Sequence, residues 1–269
     1  METLVSVKRA QELLATHSFK WVTEEVSLSL AQGRILAEDV FAKCDDPAFD
    51  NSSIDGWAVQ STDLPKSRIE VGTIFAGTKP IMAPIKPNEI YRIMTGAPIP
   101  PGANALVMIE DGIHGLARQE YIRKKGENIS IGERALSKGD IITPASCALA
   151  ATVGYSTLPV RSKLRIAIIP TGDELTQPGL PLEPGKIYES NSVALASLVR
   201  KAGAEPIVIK PTLDDKESLN DILDRCAKEV DLILTSGGVS MGEKDFIRSS
   251  LIERSAVIFW KVLMRPGGP

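Results

Sequence analysis

Asp231-Leu-Ile-Leu-Thr-Ser-Gly-Gly-Val-Ser-Met-Gly-Glu-Lys-Asp245 is the stretch on which the reading of this chain turns. Leu232, Ile233 and Leu234 form an apolar run of the length a strand needs when it is buried on both faces. Thr235, Ser236, Gly237 and Gly238 then bring hydroxyls and bare backbone to the point where that strand must end. A second turn, Ser240-Met-Gly242-Glu, leads to Asp245, which opens a helical pattern with Phe246, Ile247 and Leu251 on one side. Strand, small-residue loop and helix start present free N–H groups and a positive helix end, and both favour phosphate. Glycine also lets a ligand approach the main chain closely. A plain tight turn is the simpler alternative, but two glycine turns in succession, carrying Ser, Thr, Glu and Asp, favour a ligand site.

Working outward from this loop, strands alternate with helices. Arg165 to Ile169 reads as a buried strand, followed by the loop Pro170-Thr-Gly-Asp-Glu174. Asn191 to Ala202 has helical spacing (Val193, Leu195, Leu198, Val199) and ends at Gly203, a natural C-cap. Pro206 to Ile209 is a strand, Lys216 to Lys228 a helix, and Val257 to Lys261 a further strand. This alternation predicts right-handed βαβ units in a parallel sheet, whose ligands sit at the carboxyl ends of strands. The loops 170–174, 211–215 and 235–245 all fall there. Glu174, Asp214 and Asp245 each follow a strand, so three carboxylates converge on one edge. They repel unless a cation or proton intervenes, and a Mg²⁺-like ion shared with a substrate phosphate resolves this.

The first 163 residues read differently. Residues 6–16 are helical, with Ser6 as the cap. A short helix around Leu28 and Leu30 leads through Gly33 to the strand-like Ile35 to Val40. Residues 43–130 are rich in Pro, Gly and short β-type runs: Trp57 to Val59, Ile69 to Phe75, Ile90 to Met94, Ala105 to Glu110 and Tyr121 to Lys124. Two turns there are chemically dense, Phe49-Asp-Asn-Ser-Ser-Ile-Asp-Gly56 and Arg92-Ile-Met-Thr-Gly-Ala-Pro98. Pro144 to Val153 is a helix and Leu158 to Val160 a strand. The expected organisation is residues 1–42 and 131–163 as one packing domain, 43–130 as an inserted β domain, and 164–269 as the parallel α/β domain.

Composition narrows the function. A net charge of −3 gives no footprint for nucleic acid or an acidic membrane, and no apolar run reaches bilayer length. Cys44, Cys147 and Cys226 are far apart and read as reduced, in a cytoplasmic setting. With His17 and His114 the only histidines, any metal here is expected to be a hard ion held by oxygen.

Five stretches together resemble the molybdopterin molybdenumtransferase family, which includes the C-terminal domain of gephyrin. They are Phe49 to Val59, Arg92 to Pro98, Thr171-Gly-Asp-Glu-Leu175, Gly185-Lys-Ile-Tyr-Glu-Ser-Asn191 and Thr235 to Asp245, in the family's order. The resemblance implies a Mg²⁺-dependent transferase of molybdenum cofactor biosynthesis. Such an enzyme accepts adenylylated molybdopterin, releases AMP and transfers molybdate onto the dithiolene sulfurs. It also implies a homodimer, with the active site between the α/β domain of one subunit and the N-terminal domains of the other. Carried over by motif, Asp55, Thr95, Glu174 and Asp245 are the catalytic residues, and Glu174, Asp214 and Asp245 hold the metal. Thr171, Gly172, Asp173, Ser236, Gly237, Gly238 and Ser240 bind substrate, with Arg123, Lys125 and Arg265 as cationic contacts for molybdate or phosphate.

The chain departs from the pattern at three places. Gly126-Glu-Asn128 has an amide where the family commonly has Asp. In Lys261-Val-Leu-Met-Arg-Pro-Gly-Gly-Pro269, Arg265 and Gly268 stand where lysines are usual. The family continues through a Pro-Gly-Asn-Pro motif and a C-terminal β domain, so the α/β domain is expected to be incomplete. A non-catalytic relative acting as a scaffold is the alternative these departures leave. Nucleotide hydrolysis on a related α/β domain leaves the N-terminal motifs unexplained.

Overall fold

The computed structural model describes residues 2–210, 216–236 and 257–265. It divides into two compact units, Met1–Val22 with Arg161–Pro269, and Thr23–Val160. In chain order the first unit opens with β1 (Glu2–Ser6) and α1 (Val7–Ala15). Ser6 caps α1 by accepting the Arg9 N–H at 3.2 Å, as its sequence position predicts.

The second unit follows with β2 (Thr23–Ser27), α2 (Leu28–Ala31), β3 (Val40–Phe41), β4 (Asn51–Ser52) and β5 (Gly56–Val59). It continues with β6 (Ile69–Ile74), β7 (Glu89–Ile93), β8 (Ala105–Met108), β9 (Ile122–Arg123), β10 (Arg134–Leu136), α3 (Pro144–Thr152) and β11 (Thr157–Arg161). Three buried hydrophobic clusters form inside it among the described residues. Ala31, Leu36 and Val40 from its start are buried with Ile142, Ala150, Leu158 and Val160 from its end. Pro144 and a Thr143–Ser146 capping box start α3 and so deliver Ala150 to this core. Ile35 to Val40 is not the continuous strand its apolar content suggests. Ile35 and Leu36 make isolated bridges to Ile141 and Val160, and ladder pairing begins only at β3. Each bridge goes to a different partner segment, which no local pattern encodes.

The other two clusters belong to the sheet ordered β6-β7-β5-β8. Strand alternation buries Ala58, Ile74, Ile93 and Leu106 on one face and Val59, Ile90, Ala105 and Val107 on the other. The Phe49–Gly56 turn feeds β5, and the turn after β7 contains Thr95. Gly56 has no room for a side chain, because a Cβ there would lie 1.9 Å from the Val107 carbonyl oxygen.

The first unit resumes with β12 (Arg165–Pro170), β13 (Leu175–Thr176), β14 (Ile187–Tyr188), α4 (Asn191–Lys201), β15 (Glu205–Val208), α5 (Lys216–Glu229), β16 (Leu232–Ser236) and β17 (Phe259–Leu263). β12 is the middle strand of a parallel sheet ordered β15-β12-β16. Ile166 and Ile168 are buried with Ala196 and Val199 of α4. Ala167 and Ile169, one residue out of phase, are buried with Leu219, Leu223 and Cys226 of α5. A strand apolar at every position thus draws a helix onto each face, and each buried isoleucine contributes about 1.5–3 kcal/mol. α4 ends at Gly203, whose φ of +83° suits the left-handed C-cap position.

The strand expected over Val257 to Lys261 lies instead at Phe259–Leu263. It pairs in parallel with β1, from Glu2↔Phe259 to Ser6↔Leu263, and not with the three-stranded sheet. An unpaired backbone edge takes whichever partner geometry offers, and side-chain pattern does not specify that choice. The predicted helix starting near Asp245 lies outside the described residues.

Gly56→Ala is expected to lower unfolding free energy by about 1–3 kcal/mol, because β5 and β8 must separate to admit the methyl group. Urea denaturation measures this, and a midpoint unchanged from the native protein would contradict the close approach.

Candidate functional site

The described site residues other than Arg265 fall in two groups, one in each unit. In the first unit the cluster lies at the carboxyl edge of the parallel sheet. The ladder pairs Pro170 with Ser236, and the Thr171 N–H donates to the Ser236 carbonyl at 3.1 Å. The carboxyl ends of β12 and β16 therefore lie side by side. Thr171 is 6 % exposed, and its hydroxyl oxygen is buried with no hydrogen-bond partner among the described residues. Buried hydroxyls almost always have a partner, so this one marks a position where a partner is missing.

Gly172 follows at φ +147°, a conformation that L side chains rarely adopt. A Cβ there would lie 2.6 Å from a carboxylate oxygen of Glu174, so the absent side chain leaves room for that carboxylate over the backbone. Glu174 is exposed, and its carbonyl accepts the Ile187 N–H at 2.9 Å, which starts the β13–β14 pairing. Asp173 is exposed, and its carbonyl accepts from the Lys186 ammonium. Residues 171–174 thus sit between the sheet edge and the Gly185–Asn191 segment. Glu189, from that segment, is buried and accepts the Ser192 N–H at 2.8 Å. Its charge faces the positive end of α4. Sequence reading quoted this glutamate without giving it a role, although an acid just before a helical run is a capping signal.

Asp214, Gly237, Gly238, Ser240 and Asp245 lie outside the described residues, and with them two of the three predicted metal ligands. Among the described residues no three His, Cys, Asp or Glu side chains form a metal-holding group. Arg265 is exposed just after β17, where it shares a shallow groove with Leu4 and Leu263 and with no other predicted site residue among those described.

In the second unit the two chemically dense turns meet. The Gly96 N–H donates to the Ser52 carbonyl at 2.8 Å, Ser52 N–H to Ala97 at 3.0 Å, and Ile99 N–H to Asp50 at 3.0 Å. One Asp55 carboxylate oxygen accepts both the Thr95 N–H at 2.7 Å and the Thr95 hydroxyl at 2.8 Å. The Thr95 backbone bond, then its hydroxyl and the nearby Arg92 charge hold the Asp55 carboxyl below its ordinary range. Asp55 is exposed, and no bond reaches its other oxygen among the described residues. The pair is an ionised, pre-aimed acceptor.

On the other side of the same turn, β4 pairs with β9, Asn51 opposite Arg123. Here the two predicted cationic contacts are already engaged. Arg123 bonds Glu127 at 2.7 Å and Asn128 at 3.0 Å, while the Lys125 ammonium lies 3.2 Å from Asp45. Asp50 accepts the Lys124 ammonium and the Lys125 N–H, each at 2.8 Å. Sequence reading missed these carboxylates, since Asp45 and Asp50 stand some 75 residues or more from the cations they meet.

Known proteins resemble the chain along both units. The profile of the MoeA N-terminal region (domain I and II) matches residues 5–154, and that of a probable molybdopterin binding domain matches residues 167–269. Molybdopterin molybdenumtransferase 2 of Mycobacterium tuberculosis (strain ATCC 25618 / H37Rv) is 41% identical over 265 residues, covering 91% of this chain and 65% of that protein. The molybdopterin molybdenumtransferase of Haemophilus influenzae is 34% identical over 270 residues, covering 96% of this chain and 67% of that protein. The crystal structure of the molybdopterin biosynthesis MoeA protein from Pyrococcus horikosii superposes with a TM-score of 0.82 at 30% identity, over 99% of this chain and 71% of that one. The chain spans about two thirds of the length of the curated relatives it matches.

Thr95→Ala removes the hydroxyl bond and is expected to raise the Asp55 pKa toward its ordinary value, read by carboxyl NMR titration. Because the folded value is depressed, the stability carried by this bond is present above the ordinary carboxylate range and lost as pH falls through the folded value. The native-minus-variant stability difference should therefore shrink on acidification. A difference independent of pH would contradict the pairing.

Proposed function

Since the chain belongs to the MoeA family, we propose that it serves molybdenum cofactor biosynthesis by inserting molybdenum from molybdate into adenylylated molybdopterin with release of AMP. The observation that carries this reading is the unpartnered Thr171 hydroxyl beside Ser236, at the carboxyl edge of a parallel sheet. Ligands of such sheets bind at that edge, and a phosphate or pterin oxygen supplies the partner the hydroxyl lacks.

Mg²⁺ belongs to the same reading. It binds through one or two carboxylates together with substrate phosphate rather than in an all-protein cage. Glu174 over the Gly172 backbone fits that donor set, with Asp214 and Asp245 as the further proposed ligands. When bound, Mg²⁺ supplies positive charge to the substrate phosphates. The protein groups do the rest. Thr171 and Ser236 fix the phosphate-bearing end, and Gly172 lets it approach the main chain. Gly237, Gly238 and Ser240 extend the same cradle, with Asp173 at its rim. Asp55, kept ionised by Thr95, accepts a proton or an N–H from substrate, and its orientation is set before binding. Lys125 and Arg265 are assigned to anion contact on motif alone.

A homodimer, a cytoplasmic setting and the three-part division at residues 43, 131 and 164 complete the proposal. No described helix is long and apolar enough to cross a membrane. A scaffold is not favoured, because the relatives are named as transferases.

Thr171→Val in the full-length natural protein is the test. Removing an unsatisfied buried hydroxyl leaves stability equal or about 1 kcal/mol higher. AMP release in the presence of molybdate and Mg²⁺ should nonetheless fall by about tenfold or more, the effect of leaving a substrate oxygen unpaired. Full AMP release from a folded variant would remove Thr171 from the site.

A further inference from the structure

Lys186 brings a positive charge to the loop that follows β12. Local turn chemistry places it there. The Lys186 N–H donates to the Glu183 carbonyl at 3.1 Å, and Gly185 inside that turn takes φ +81°, a left-handed conformation suited to glycine. β14 then runs parallel to β13 with Ile187 opposite Leu175, which sets Lys186 beside Glu174. The Lys186 ammonium donates to the Asp173 carbonyl, and the residue is half-buried. This bond keeps the head group at the loop instead of in open solvent.

The charge it carries is not matched. An ammonium has three N–H donors, and the partner found for one of them is a neutral carbonyl. No carboxylate lies within ion-pair distance of Lys186 among the described residues. Arg123 and Lys125, by contrast, each have a carboxylate partner. Charges withdrawn from water are normally paired, so a half-buried ammonium on a neutral acceptor is suited to an anionic ligand.

The same loop supplies other groups that a phosphate uses. The buried Thr171 hydroxyl has no partner among the described residues, and Gly172 presents bare backbone. Asp173 and Glu174 are exposed acids beside them, and a phosphate arriving there meets their repulsion. A fixed ammonium next to both acids offsets it, and lysine binds phosphate as a compact point charge.

We propose that Lys186 is a further substrate-binding residue, whose ammonium, held at the 171–174 loop by the Asp173 carbonyl, contacts the substrate phosphate that Thr171 receives. The inference rests on the proposed binding of adenylylated substrate at this sheet edge, and adds a protein cation to that site. The group recognised is the phosphate end of an adenylyl ligand, not its base or sugar.

Isothermal titration calorimetry of the full-length protein with ADP and with adenosine, at fixed Mg²⁺, tests this. ADP supplies the adenylyl group and a second phosphate, whereas adenosine has neither phosphate. The native protein should bind ADP more tightly than adenosine. Lys186→Gln should weaken ADP binding about tenfold or more, the scale of one hydrogen bond to a charged group, and leave adenosine binding within about twofold. Lys186→Arg keeps the charge and should restore most of the ADP affinity. ADP affinity unchanged in Lys186→Gln overturns the inference alone, and leaves the proposed reaction standing where Thr171→Val still loses AMP release. Equal losses for ADP and adenosine also overturn it, because they assign Lys186 to loop shape instead of phosphate contact. A native protein that binds ADP no better than adenosine overturns both the inference and the phosphate site on which it rests.

Discussion

β12 is apolar at every position from Ile166 to Ile169, and that requirement organises the unit around it. A strand buried on both faces cannot exist without cover on each, so α4 and α5 close from opposite sides. Crossovers through α4 and α5 then leave β15, β12 and β16 parallel, with their carboxyl ends on one edge. The ends of β12 and β16 meet there for backbone reasons, and the Thr171 N–H donates to the Ser236 carbonyl where the described ladder ends. A buried hydroxyl without a partner among the described residues at that spot is the kind of local departure from good packing on which the proposed binding site rests.

The second unit achieves proximity by other means. Its strands are short, and its chemically dense turns are held by backbone bonds from residues 50 and 52 to residues 96, 97 and 99. Those bonds carry no side-chain preference, which leaves Asp55, Thr95 and Arg92 available for electrostatic work. Thr95 fixes the direction of the Asp55 carboxylate, and Arg92 favours its charge. On the β9 side, the Asn128 amide divides its two ends between a cation and an acid.

Much of this was readable from residue pattern. The bounds of α3, α4, α5 and β12 lie within a residue or two of those read from period, Pro144 and Gly203, since local chemistry sets them. The nearness of Thr171 to Ser236 followed from strand–helix alternation. Contacts between distant segments were not readable. The parallel pairing of β1 with β17 depends on a free edge, and the capture of Lys125 by Asp45 depends on how two segments distant in sequence pair at β4–β9 and at the Asp46–Ile129 bridge. The scattered bridges of Ile35 and Leu36 belong to the same class. Motif resemblance picked out Asp55 and Thr95 together, but the bond between them is visible only in three dimensions.

The central claim is that substrate completes the carboxyl edge of the β15-β12-β16 sheet. Hydrogen–deuterium exchange of the full-length protein, with and without adenylylated molybdopterin and Mg²⁺, tests it directly. The account predicts slowed exchange at residues 171–174 and at Ser236 together on ligand addition. Protection confined to other segments, with these amides exchanging as before, would contradict it.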